Sequence, residues 1–138
     1  MSKRDSIHNA VKNALIKDGW TITADPYEIE YEEARLRADL AADRALAAER
    51  ADEKIVVEIK SFISSSPIHE LQAAVGQYQM YLMCLEAVAP ERRLYLAVSQ
   101  PIWEELFSLK ITQDFISRFP LRLFVVDLQK EEISLWKE

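Results

Sequence analysis

Several things are scarce in this chain, and each scarcity excludes something. Cys84 is its one cysteine, so no disulfide closes within the chain and a reducing, cytoplasmic setting is expected. Two histidines beside that cysteine exclude a zinc finger built from four nitrogen and sulfur ligands. No apolar run approaches the roughly 20 residues of a membrane-spanning helix. The opening "MSKRDSIHNAV" lacks the apolar core and small-residue cleavage site of a secretory signal, so none is expected. Basic residues are also short: 17 Lys and Arg against 23 Asp and Glu, a net charge of −6. Phosphate neutralisation carries most nucleic-acid affinity, so this balance counts against a free-standing DNA binder, and any basic face must be local. No internal repeat, low-complexity tract or linker appears.

What is present fits one soluble globular domain spanning residues 1–138, with 49% hydrophobic and 29% charged residues. "SKRDSIHNAVKNALIKDGW" predicts a helix: Ser2 and Asp5 have the spacing of a capping box, and Ile7, Ala10, Val11, Ala14 and Leu15 form an apolar stripe. Gly19 supplies the stop. "WTITADPYEIEYEE" predicts a strand broken or bent at Pro26. By propensity alone, the following "ARLRADLAADRALAAERADEK" is helix. "SSSPIHELQAAVGQYQMYLMCLEA" is a long helix capped by Ser66, with Pro67 in its first turn and Ile68, Leu71, Val75, Tyr78, Leu82 and Leu85 as its apolar face. "RLYLAVS" is a buried strand, and "PIWEELFSLKITQDFISRF" is helical in one or two pieces. "LRLFVVDLQKEEISLW" gives two short strands around a charged turn at 129–131. The order α-β-β-β-α-β-α-β-β makes the fold α/β, a mixed central sheet flanked by helices.

The chemistry gathers at "KIVVEIKSF", a strand apolar enough to be buried on both faces. Glu58 and Lys60 are two apart, so they share a face with Val56 and Phe62, while Ile55, Val57 and Ile59 take the other. A charged pair inside an apolar strand needs a partner or a metal. An ion pair at a strand end accounts for it as well as chemistry does, because Glu-x-Lys is a common chance triplet. Two further features keep it company. Gln77 and Tyr81, four apart, share one face of the long helix, and Asp39 offers a second carboxylate of the kind Mg²⁺ sites use. Trp20, Trp103 and Trp136 read as core or interface anchors and Cys84 as a small buried residue. Arg35, Arg37 and Arg44 are the best local candidates for phosphate contacts, with a solvated face as the plainer reading.

The order Asp39, Glu58-Ile59-Lys60, Gln77-x-x-x-Tyr81 resembles the PD-(D/E)xK nuclease superfamily, in its branch with a Gln-x-x-x-Tyr helix. The closer resemblance is to the XisH family of fdxN element excision controlling factors. It runs through "HNAVKNALIKDGWTIT", "KIVVEIKSF", "AVGQYQMYL", "PERRLYLAVSQPIWEELF" and "LRLFVVD", which is nearly the whole chain. The resemblance implies a restriction-endonuclease-like core. It also turns the Ala-rich segment from helix into strands, with "RADE" as a hairpin turn and Asp39 at a strand start facing Glu58. It implies that Asp39, Glu58 and the Ile59 carbonyl hold Mg²⁺ or Mn²⁺. Lys60 would then orient water or balance charge, and Gln77 and Tyr81 would line the site from the helix. Two departures stand out. His8 occupies a first-helix position where many relatives have a site-facing Glu, and Ala38 replaces the usual Pro before the first catalytic Asp.

Two functions follow from this reading as expectations. One is an excision controlling factor with a Mg²⁺-dependent phosphodiesterase site acting on DNA in programmed site-specific rearrangement. The other is a catalytically inactive regulatory protein working with a small companion, XisI. DNA (bound weakly by the chain alone), the XisI-like companion and a second copy of the chain are the expected partners; a membrane is not.

Overall fold

The computed structural model describes residues 3–45 and 52–138, with side chains from residue 6 onward. The expected capping box at Ser2 and the first half of the "RADE" turn, residues 50–51, lie outside the described residues.

Helix α1 (Lys3–Lys17) buries Ala10, Val11, Ala14 and Leu15. It stops where Gly19 takes φ +94°, a conformation that costs any residue with a Cβ. The next segment breaks at Pro26 as expected, into β1 (Thr21–Ala24) and β2 (Tyr27–Tyr31). The helix expected from propensity over 34–54 does not form among the described residues of that stretch. That stretch becomes β3 (Ala34–Ala38), β4 (Leu40–Arg44) and the start of β5 (Glu53–Ile59). Alanine favours helices because it loses no side-chain entropy there, an advantage of tenths of a kcal/mol per residue. Pairing β4 between β1 and β5 buries Leu40, Ala41 and Ala42 completely, and that burial outweighs the preference.

Five strands therefore precede the second helix, not three. Three of them enter the central sheet, while β2 and β3 pair only with each other, in a two-stranded sheet. Helix α2 (Pro67–Val88) is capped by Ser66, whose side chain accepts the His69 N–H. Strand β6 (Arg93–Ser99) follows, then the helical segment in two pieces, α3 (Gln100–Glu105) and α4 (Lys110–Arg118). Strands β7 (Leu123–Asp127) and β8 (Glu132–Lys137) close the chain.

The six-stranded sheet has the order β1-β4-β5-β6-β7-β8, parallel at β5/β6 and β6/β7 and antiparallel elsewhere. Its two faces define two cores. One packs Val56, Leu94, Leu96, Leu123 and Val125 against α2 and the small helices. The other packs Ile55, Val57, Tyr95, Phe124 and Val126 against α1, with Trp20 and Trp136 in contact at 5.8 Å between ring centroids. Trp103 stacks on Phe107, and Cys84 is buried. The pairings of both edge strands, β1 and β8, carry a register shift, an irregularity of the kind that blunts an edge against further pairing. Among the described residues no helix is long and apolar enough to cross a membrane.

The two glycines make opposite predictions. Gly19→Ala meets only ordinary van der Waals contact with Arg44, so its cost is the left-handed backbone, about 1 kcal/mol. Gly76, inside α2, has nothing within 4 Å of an added Cβ, so Gly76→Ala raises stability by roughly 0.5–1 kcal/mol. Urea unfolding of the two variants checks both signs.

Candidate functional site

Strand β5 carries Glu58 to its C-terminal end, where the parallel neighbour β6 runs alongside and the Lys60 N–H still reaches the Ala97 carbonyl at 3.0 Å. Pairing beyond the last strand residue fixes the direction of Lys60 and puts its ammonium 3.5 Å from Glu58 Oε2. The faces fall as the alternation predicts. Val56 and Phe62 join the α2 core, and Ile55, Val57 and Ile59 join the α1 core.

Asp39 sits in the one-residue step between β3 and β4 and is bonded twice to the end of β5. Its N–H donates to Glu58 Oε1 at 3.2 Å, and its Oδ2 accepts the Ile59 N–H at 2.8 Å. This reciprocal pair holds two carboxylates together at the mouth of a cleft of about 400 Å³. His8 from α1, Lys60 and Phe62 from the end of β5, and Glu70 from α2 also line it.

Glu58 is the costly member. Its side chain is only 12% exposed. Burial first, then the Asp39 charge, push its carboxyl up from 4.5 to about 7, against the opposing pull of Lys60. Ser61 separates Lys60 from Phe62, which adopts φ +52° and is buried edge-on against Phe107. A positive φ at a bulky residue is strained, and the aromatic burial offsets that strain.

Gln77 and Tyr81 do share a face of α2, but neither lines the cleft. Gln77 Nε2 donates to the Tyr81 hydroxyl at 3.2 Å, and that hydroxyl donates to the Arg37 carbonyl at 3.0 Å. They stand behind the site and fasten the chain two residues before Asp39. Burial, and after it the Glu58 charge, hold the Tyr81 phenol above its ordinary value. Gln77 Oε1 is buried with no partner among the described residues.

His8 lines the cleft, with Nε2 2.9 Å from Asp25 Oδ1. Glu70 was missed in the sequence. The signal was there, because residues 70, 74, 77 and 81 follow helical spacing on one face of α2. Arg35 and Arg37 pair with Glu30 and Glu28 across the β2–β3 hairpin, on its solvated side. Arg44 is engaged by Asp18, Glu53 and the Trp20 ring.

The donors suit one kind of metal. Among the described residues no three His, Cys, Asp or Glu side chains gather to hold an ion, and zinc asks for three or four such ligands. Mg²⁺ is commonly held by one or two carboxylates, with waters completing its shell. Asp39, Glu58 and the Ile59 carbonyl offer that oxygen set, and two crowded carboxylates with one of them raised are the electrostatic setting a divalent cation relieves.

The raised carboxyl also fixes a pH dependence. Between about 4.5 and about 7 the folded chain holds a proton at Glu58 that the unfolded chain has lost. Metal-free stability is therefore greatest below that window and falls as pH rises through it, by at most on the order of 3 kcal/mol. Glu58→Gln keeps the acceptor for the Asp39 N–H and removes the titration. Urea unfolding with chelator across that range should show the decline flattened, with the variant more stable than wild type at alkaline pH.

A family model described as "XisH protein" matches residues 1–134. The chain is 38% identical to an XisH family protein from Nostoc punctiforme PCC 73102. Their structures superpose with a TM-score of 0.88, covering 97% of this chain and 100% of that one. It is also 38% identical to an fdxN element excision controlling factor protein from Anabaena variabilis, with a TM-score of 0.87 and coverage of 98% and 100%. Among curated proteins no sequence matches. With the family model spanning nearly the whole length and both solved relatives sharing the complete fold, the chain belongs to the XisH family.

Proposed function

We propose that this chain is a DNA-element excision controlling factor whose Asp39–Glu58–Lys60 cleft is a Mg²⁺-dependent phosphodiesterase site. The observation that carries this reading is the reciprocal bonding of Asp39 to Glu58 and Ile59, with the Lys60 ammonium beside them. A strand-end ion pair alone accounts for Glu58 and Lys60, but not for a second carboxylate held against them. The link to an excised element comes from the relative described as an fdxN element excision controlling factor. The comparison with restriction-endonuclease-like nucleases belongs to the same proposal.

On this reading Asp39, Glu58 and the Ile59 carbonyl hold the ion. Mg²⁺ supplies Lewis-acid polarisation of a phosphodiester and an acidified water. Lys60 orients that water or balances the charge that grows on the phosphoryl oxygens. The Asp39 N–H keeps Glu58 aimed, and the Ile59 N–H does the same for Asp39. Tyr81 and Gln77 keep the approach to Asp39 in place from behind.

One observation favours a second reading. Among the described residues Asp39, Glu58 and Glu70 line the cleft with one lysine, Lys60, and His8, so a polyanion is not drawn in strongly by charge. A regulatory protein that works in complex with an XisI-like companion, its site retained for assembly, fits that balance.

Incubation of supercoiled, linear and single-stranded DNA with Mg²⁺ or Mn²⁺ separates the two. The phosphodiesterase reading expects cleavage that Glu58→Ala and Lys60→Ala each lower by on the order of 100-fold or more. Cleavage unchanged in both variants would sink it. An inert wild type, together with excision that persists in the Glu58→Ala variant beside the companion, would establish the second reading.

A further inference from the structure

We propose that His8 is the proton donor to the leaving oxygen in this cleft, held for that task by Asp25. The inference rests on the phosphodiesterase reading and adds a residue that the metal-and-lysine set does not supply. His8 projects from α1, the helix on the opposite sheet face from α2, and lines the cleft that Asp39, Glu58 and Lys60 share.

Its ring is not loose. Nε2 lies 2.9 Å from Asp25 Oδ1, and the other oxygen of that carboxylate takes the Lys12 ammonium at 2.8 Å. Burial alone would raise the Asp25 carboxyl. The Lys12 hydrogen bond and the His8 charge outweigh it, and the group ends below its ordinary value. A carboxylate that stays ionised can only accept, so Nε2 carries the hydrogen and donates it. Nδ1 bonds to no described residue and is the ring nitrogen left for whatever enters the cleft. A histidine oriented by a carboxylate, with its second nitrogen open to a site, is the arrangement general acid–base catalysis uses. A solvated surface histidine would need neither the carboxylate nor the lysine behind it.

The step balances. The oxygen of the attacking water bonds to phosphorus as the bond to the leaving oxygen breaks. The Nδ1 proton of the imidazolium passes to the leaving oxygen, giving an alcohol, while a proton of the water is lost to solvent. The neutral ring, still donating Nε2–H to Asp25, then regains a proton from solvent. Lys12 and Asp25 act through His8 and are positioning residues.

The test compares two substrates in the full-length protein with Mg²⁺. One is DNA, whose alkoxide leaving group needs a proton. The other is a nucleoside p-nitrophenyl phosphate ester, whose phenolate leaves without one. His8→Ala should lower DNA cleavage by roughly 100-fold or more and leave nitrophenol release within about a few-fold of wild type. Nitrophenol release also reports that the variant is folded. Equal loss on both substrates overturns the role of His8 and leaves the phosphodiesterase reading standing. A wild type inert towards both substrates overturns that reading, and the inference falls with it. An independent readout needs no turnover: imidazole nitrogen NMR of the metal-free protein, on the alkaline side of neutrality, should show His8 as the Nε2–H tautomer. The Nδ1–H form would overturn the assignment.

Discussion

The structure turns on one buried carboxylate. Glu58 stands at the end of a strand in which Ile55, Val56 and Val57 are sealed on both faces, and a charge there is costly unless its surroundings answer it. Three groups do. The Asp39 N–H and the Lys60 ammonium stabilise the charge, while the Asp39 carboxylate opposes it. Leucine at this position would make a better core. A fold that keeps an acid there, and sets a second acid against it, gives up stability at this position.

That constraint accounts for the hairpin between β1 and β4. Three consecutive residues leading into β4 are each fixed by a different element. The Arg37 carbonyl takes the Tyr81 hydroxyl of α2, and Ala38 pairs with Tyr27 of the hairpin and is fully buried. Asp39 is bonded to the end of β5. A carboxylate in a one-residue step between two strands would otherwise be free to turn to solvent. Here helix, hairpin and sheet leave it one direction.

The placement of Glu58 and Lys60 was legible because strands alternate with a period of two, so the two could be put on one face and the core residues on both. The long helix was legible for a similar reason, with its cap and apolar face in order. The strands over 34–44 were not legible from composition. Alanine leaves no pattern of large and small that would reveal a period, and the partners that make β4 a strand lie on either side of it in the sheet. Only resemblance to a family pointed to them. The roles of Gln77 and Tyr81 were half legible. Their spacing puts them on one helix face, but whether that face meets the cleft depends on how α2 sits, and the Tyr81 hydroxyl turns to the backbone before Asp39.

Strain at the end of β5 completes the account. Phe62 holds a positive φ two residues after Lys60, and its ring is buried against Phe107 and the α2 core. With β5 already ended at Ile59, the left-handed residue sends 63–66 toward the Ser66 cap of α2. The Ser64 N–H then meets Glu70 Oε2 at 3.4 Å, so the third carboxylate of the cleft is tied to the segment that leaves the Glu58 strand. The order of the sequence, strand to lysine to strained aromatic to capped helix, therefore folds around the cleft as one continuous wall. The pieces brought from elsewhere in the chain are Asp39, which locks Glu58, and His8, which lines the same cleft.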